Sequence, residues 1–200
     1  MKIEKVIFDL GKVLVKFDPK NLFNKIFKEE KEIDFFFKEI CPWEWHIQQD
    51  LIYDTMPATI ERVKKFPDYK VAIEAFYGRF QEMITGTYDE NIEIALGLKD
   101  KKIPIYILSN FPGDQFDIYK SKNPFIEKFD DMIISGKVNL KKPDKKIYEL
   151  AKEKFNCDPE KTLFIDDRPE NTLSASELGF KTITLHKPEE LKNEIKNFNF

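Results

Sequence analysis

Three apolar runs in this chain of 200 residues end in side chains that a core would not select. Val6-Ile7-Phe8 runs into Asp9, Ile105-Tyr106-Ile107-Leu108 into Ser109-Asn110, and Leu163-Phe164-Ile165 into Asp166-Asp167. Lys142 precedes Pro143 and a further helix-like segment. One acidic residue at a strand end can serve as the N-cap of the next helix. Several such ends at one edge of a parallel sheet are different, because carboxylates packed together repel unless a cation joins them. Hard oxygen ligands favour magnesium. A lysine and a hydroxyl beside them suit a phosphate group.

Such a site needs parallel strands to assemble it. Residues 3–10, 103–108, 132–134, 162–165 and 180–185 carry short apolar runs of strand length, rich in β-branched side chains. Helix-like segments lie between them at 115–120, 144–155 and 169–178, the last stopping at Gly179, and a final amphipathic helix is expected at 188–198. Alternation of this kind predicts an α/β fold with a parallel sheet, which places chemistry at the carboxyl ends of its strands.

Residues 16–88 follow another period. Leu22, Phe23, Ile26 and Phe27 recur at helical spacing, as do Ile33, Phe36, Phe37 and Ile40, then Ile60 and Val63, then Ala72, Ile73, Phe76, Phe80 and Met83. This predicts an all-helical block inserted after the first strand, with Pro19 and Gly86 as candidate hinges near its ends. The block is dense in aromatic residues. It holds 9 of the 19 Phe, 4 of the 7 Tyr and both Trp, and Phe35, Phe36 and Phe37 cannot all share one helix face.

Composition narrows the partners. A net charge of −3 argues against a nucleic-acid surface. No apolar run approaches the ~20 residues that span a bilayer. The N-terminus has no signal-peptide core, and Cys41 and Cys157 have no neighbours at metal-ligand spacing, so a reducing, cytoplasmic setting is expected. The expected partners are a small phosphorylated substrate, no nucleic acid and no membrane, with the chain a monomer or homodimer.

Four ordered stretches resemble one known family: VIFDLGKVLV at 6–15, IYILSN at 105–110, SGKVNLKKPDKKIYELA at 135–151 and LFIDDRPENTLSASELGF at 163–180. Together they are similar to the motifs of the haloacid dehalogenase-like (HAD) hydrolases with a helical cap after the first strand. The resemblance implies a Rossmann-like core of residues 1–15 and 89–200, a mobile helical cap of residues 16–88, and magnesium (Mg2+) as cofactor. It implies that Asp9 is the nucleophile that forms an aspartyl intermediate. Ser109 and the backbone N–H of Asn110 would hold the transferring group, and Lys142 would neutralise charge. Asp9, the carbonyl of Gly11 and Asp166 would ligate the metal, with Asp167 as a further ligand or support, and Asn171 would be a structural hydrogen-bonder.

One position departs from the family pattern. Most of its phosphatases carry Asp-x-Asp in the first motif, and the second aspartate protonates the leaving oxygen and then activates water. Gly11 stands there instead, and general acid–base help is worth about 10²–10⁴ in rate. The DLGxVL form also looks like a branch that includes sugar-1-phosphate phosphatases, whose leaving group is better. A cap residue or Lys12 could supply the proton instead. In the cap, Trp45, His46, Gln49 and Asp50 are candidates to face the pocket and select substrate, with Lys16 and Asp18 as candidates for a gating flap and Arg168 as a shield for the acidic pair. The leading expectation is a magnesium-dependent phosphatase. The alternatives are a 2-haloacid dehalogenase with Asp9 attacking carbon, and a catalytically weak binding or regulatory module. The dehalogenase branch uses a cap arginine shortly after the first strand, and no arginine occurs here before Arg62.

Overall fold

In the computed structural model, residues 2–200 are described. Seven strands occur: β1 (Lys5–Phe8), β2 (Val15–Phe17), β3 (Ile84–Thr87), β4 (Ile105–Ser109), β5 (Asp131–Ile134), β6 (Thr162–Asp166) and β7 (Lys181–Thr184). Five form one parallel sheet in the order β5-β4-β1-β6-β7. Side chains alternate across it, as the pleat requires. Val6, Phe8, Ile105, Ile107, Leu163 and Ile165 pack on one face, against Ile92, Ala95, Phe116 and Leu191. Ile7, Tyr106, Leu108 and Phe164 pack on the other, against Ile147, Tyr148, Ala151 and Ala175. Covering both faces explains why these strands read as continuous apolar runs.

β1 lies at the centre, and the chain builds outward from it on both sides. The strand order therefore reverses at β1, which opens a crevice at its carboxyl end. Asp9 is the next residue.

The inserted block has its own core, built from Leu22, Phe23, Ile33, Phe36, Ile73, Phe76, Phe80 and Met83. Its aromatic rings meet one another: Phe23 lies 4.8 Å from Phe36 and 4.9 Å from Phe37 between centroids. Of the three consecutive phenylalanines, Phe36 and Phe37 belong to this cluster, while Phe35 is 46% exposed and lies against Tyr69. A π-helical turn at Phe36–Ile40 shifts the helix phase there. Both cysteines are buried as free thiols.

Two sequence expectations are corrected, and one helix is added. The block is not wholly helical, because β2 and β3 pair antiparallel at its two ends, with Val15 opposite Thr87 and Phe17 opposite Ile84. Gly86 sits inside that ribbon at φ +144°, a conformation that side chains disfavour. The helix Asp89–Asp100 packs on the sheet through Ile92, Ala95 and Leu98, a periodicity not assigned from the sequence. The segment 188–198 is broken into a helical turn at Leu191–Glu194 between two 3-10 turns. Among the described residues no helix is long and apolar enough to cross a membrane.

Candidate active site

The turn after β1 is wound around one carbonyl. The N–H groups of Val13, Leu14 and Val15 all donate to Leu10 O, at 3.3, 2.9 and 2.8 Å. Leu10, Val13 and Leu14 are fully buried and anchor the turn, and Lys12 adopts φ 56° to close it. Asp9 and Gly11 are thereby held on the pocket wall with Ser109, Asn110, Lys142 and Asp167.

Lys142 is 2% exposed, and its ammonium has three neighbours. It donates to Asp166 Oδ2 at 2.6 Å and to Leu108 O at 2.8 Å. It also pairs with Asp9 Oδ1 at 2.9 Å. Asn110 fixes the backbone beneath the lysine. Its Oδ1 accepts from Lys142 N–H at 2.9 Å, and its Nδ2 donates to Lys142 O at 2.9 Å. The Asn110 side chain thus positions Lys142.

Asp166 is fully buried and its oxygens are taken. Oδ1 accepts from Arg168 N–H and Asn171 Nδ2, each at 2.9 Å, and Oδ2 accepts from Lys142. Asn171 is the structural hydrogen-bonder, and its own carbonyl accepts from Tyr148 OH at 2.8 Å. Asp167 is more open, with its side chain 18% exposed and Lys12 Nζ 3.9 Å away. Asp166 is thus the more engaged of the pair, with three donors on its oxygens, and Asp167 the more open one on the pocket wall.

Carboxylate oxygens of Asp9, Asp166 and Asp167 lie within 4.8 Å of one another. Against them stands one ammonium, which leaves a net charge of −2 when all are ionised. Burial pushes the Asp9 carboxyl up to about 6, with Asp166 and Asp167 adding to it and Lys142 opposing. Burial, then Asp166, also raises Asp167. Burial disfavours the Lys142 ammonium, but Asp166 and Asp9 outweigh it and hold its pKa above the ordinary value. An all-oxygen donor set and a net negative charge fit a hard divalent cation.

Across the pocket stands the helix Trp43–Gln49. Trp43, His46, Ile47 and Asp50 line the cavity, whose volume is about 240 Å³. Their spacing of three, four and seven residues is one helical face. Trp45 and Gln49 lie on another, which corrects the expectation that they contact substrate. Trp45 packs on Phe76 and Tyr77, and Gln49 Nε2 donates to Trp45 O at 2.8 Å. His46 reaches the pocket with its ring, but its Nδ1 is bonded to Tyr77 OH at 2.9 Å, and burial lowers its pKa to about 3. Phe17, Phe80, Ile84 and Phe111 complete an apolar wall that the sequence reading missed. Neither Lys16 nor Asp18 lines the pocket: Lys16 lies over the Tyr88 ring and Asp18 Oδ1 accepts from Lys20 N–H at 2.9 Å. Arg168 does line it, and pairs with Glu170 at 2.7 Å.

A seam of hydrogen bonds joins this wall to the core. Ser135 Oγ donates to Asp50 O at 2.5 Å, Gly113 N–H to Ile52 O at 3.1 Å and Asp114 N–H to Tyr53 O at 2.7 Å. Thr55 Oγ donates to Asp114 Oδ2 at 2.7 Å. Two glycines permit the approach: a Cβ on Gly113 would sit 2.4 Å from Tyr53, and one on Gly136 would sit 2.5 Å from Ile52 O.

A sesquiterpene phosphatase from Aspergillus oryzae is 27% identical over 94 residues, which make 47% of this chain and 47% of that protein. An (S)-2-haloacid dehalogenase from Pseudomonas sp. strain YL is 26% identical over 98 residues, 49% of this chain and 42% of that one. The chain spans less than half the length of the curated relatives it matches first. Among solved structures, an HAD family enzyme from Bacteroides thetaiotaomicron in complex with magnesium and inorganic phosphate superposes with a TM-score of 0.71 at 24% identity, covering 91% of this chain and 93% of that one. A family model described as haloacid dehalogenase-like hydrolase matches residues 6–185, from β1 to just past β7. With nearly the whole chain inside that match, the protein belongs to the haloacid dehalogenase-like hydrolases.

Proposed function

We propose that the protein is a magnesium-dependent phosphatase acting on a small phosphate monoester, with Asp9 as nucleophile. The observation that carries this reading is the cluster of Asp9, Asp166 and Asp167 around a single buried lysine. Asp9, Asp167 and the backbone at Gly11 would hold magnesium, and the bound ion supplies charge neutralisation and alignment for phosphoryl oxygens. Asp9 attacks phosphorus, and the bond to the alcohol oxygen breaks. Ser109 and Lys142 stand beside Asp9 to bind the phosphoryl oxygens as charge moves onto them. Water then cleaves the aspartyl phosphate and restores Asp9.

Two relatives support the chemistry: the Bacteroides enzyme was solved with magnesium and phosphate, and the Aspergillus protein is a sesquiterpene phosphatase. The wall bears on the substrate. Among its cap residues only His46 and Asp50 are polar, and His46 is engaged with Tyr77. That supports a compact alcohol with an apolar face over a hydroxyl-rich sugar.

Dehalogenation is less well supported. A haloacid needs a cation for its carboxylate, and no cap arginine lines the pocket. Arg62 donates to the Ile40 and Glu39 carbonyls and lies over Trp45 and Phe66, and Arg79 pairs with Glu82. The deciding assay is hydrolysis of p-nitrophenyl phosphate with and without magnesium. Hydrolysis is expected to require the ion and to vanish in Asp9→Asn. Chloride release from 2-chloropropionate without phosphate release would overturn the reading, and absence of both would favour a binding module.

A further inference from the structure

Gly11 leaves the turn after β1 without a side chain that can protonate a departing oxygen. Asp50 stands on the opposite wall. It follows the helix Trp43–Gln49, is 8% exposed, and lines the same cavity as Asp9, Gly11 and Lys142. Its carboxyl group takes part in no hydrogen bond among the described residues, whereas its backbone is pinned. Ser135 Oγ holds its carbonyl, Lys141 Nζ donates to Ile47 O at 3.0 Å, and Gly113 N–H holds Ile52 O. A buried carboxyl with free hydrogen-bonding capacity costs stability unless something uses it. Here the main chain is fixed to the core on both sides of that carboxyl, so its position does not depend on the rest of the cap.

We infer that Asp50 is the proton-exchanging residue of the reaction, performing from the cap what a side chain at position 11 cannot. This rests on the phosphatase reading. As Asp9 attacks, the phosphorus–oxygen bond to the alcohol breaks, and the alcohol oxygen takes the proton of the Asp50 carboxyl. In the second half the Asp50 carboxylate accepts a proton from the water that attacks the aspartyl phosphate. Phosphate departs, Asp9 is regenerated, and Asp50 is an acid again. No other group facing the cavity serves as well. His46 is bonded to Tyr77 and stays uncharged, and Lys12 has a side chain 65% exposed and directed at Asp167. Burial supports the role by raising the Asp50 carboxyl to about 7, against the opposing pull of Lys141 and Arg168. It therefore carries a proton near neutral pH, as a general acid must.

The test is a leaving-group series: p-nitrophenyl, phenyl and alkyl phosphates, with magnesium, for the unaltered protein and Asp50→Asn. In the unaltered protein kcat/KM, which reports only the steps up to departure of the alcohol, should be nearly independent of leaving-group basicity. The variant should lose on the order of 10²–10⁴ in kcat/KM on the alkyl ester and less than about tenfold on the p-nitrophenyl ester. Activity on the p-nitrophenyl ester also reports that the variant has folded. An equal loss across the series would overturn the assignment. So would a steep dependence on leaving group in the unaltered protein, a result that needs no variant. If the unaltered protein hydrolyses none of the esters, the phosphatase reading fails and the assignment falls with it.

Discussion

The two walls of the pocket are held by different physics. The core wall is a saturated polar network, in which Lys142 meets three oxygens and Asp166 three donors, all within a buried shell. The cap wall is aromatic and aliphatic packing, with one engaged histidine and one unpartnered carboxyl. A saturated network fixes positions and tolerates little change, because removing one member strands the others. Packing fixes volume and shape, and leaves polar exceptions such as Asp50 conspicuous. On the proposed reading, phosphoryl chemistry would belong to the core wall and choice of alcohol to the cap wall.

The largest effect should come from breaking the core network at its hub. Lys142→Met keeps most of the length of the side chain but leaves Asp9 and Asp166 as buried carboxylates without a counter-charge. Breaking a buried pair from one side typically costs about 3–5 kcal/mol. Denaturant unfolding should show that loss, and hydrolysis should vanish. A Lys142→Met protein with unchanged midpoint would mean the network is looser than its distances imply. Comparable packing substitutions in the cap, such as Ile33→Val, should cost only about 0.5–1.5 kcal/mol.

The same contrast explains what the sequence could disclose. Asp9, Ser109 and Asp166 are readable because each ends a short apolar strand, and parallel strands bring such ends together by topology alone. Reading Lys142 needed the motif around it, since nothing in its spacing says that its ammonium reaches back to Leu108 O and Asp166. Which of Asp166 and Asp167 is the more engaged was not readable, because it depends on the turn at Arg168, whose N–H donates to Asp166. The cap face was least legible. Whether Trp43 or Trp45 faces inward depends on helix phase, and the phase is reset by the π-helical turn at Phe36–Ile40 and by Pro42 before the next helix. The β2–β3 ribbon was missed because three- and four-residue strands carry too few residues to show alternation.

A pH experiment sharpens the comparison on the cap side. Burial holds His46 uncharged, with its pKa lowered from 6.5 to about 3. The unfolded chain therefore binds this proton first as pH falls. The contribution of His46 is full above the unfolded value and is lost as pH drops toward the folded one. Between pH 6.5 and 5 this amounts to about 2 kcal/mol, at about 1.36 kcal/mol per unit. Asp50 works in the opposite sense, since its carboxyl is raised from 3.8 to about 7 and loses stability as pH climbs between them. The two slopes mask each other in the unaltered protein. The difference between its unfolding curve and that of His46→Asn isolates the histidine. Equal pH slopes for the two proteins would show that His46 is solvated and that this wall is not closed.

The smallest effect lies at the seam, where the two walls meet. Ser135 is fully buried, accepts from Phe111 N–H at 2.9 Å and donates to Asp50 O. Ser135→Ala removes both contacts and should cost about 1 kcal/mol in unfolding. Such a change would ordinarily be silent in the assay, because the serine lines neither the metal cluster nor the cap wall. If the seam places Asp50, it is not silent. The alkyl ester, which needs the proton, should lose more kcat/KM than the p-nitrophenyl ester. That selectivity separates a positioning role from mere loosening, which would raise KM for every ester alike. A uniform loss in Ser135→Ala, beside a selective one in Asp50→Asn, would mean that the cap places its carboxyl through its own packing and that the seam only closes the pocket.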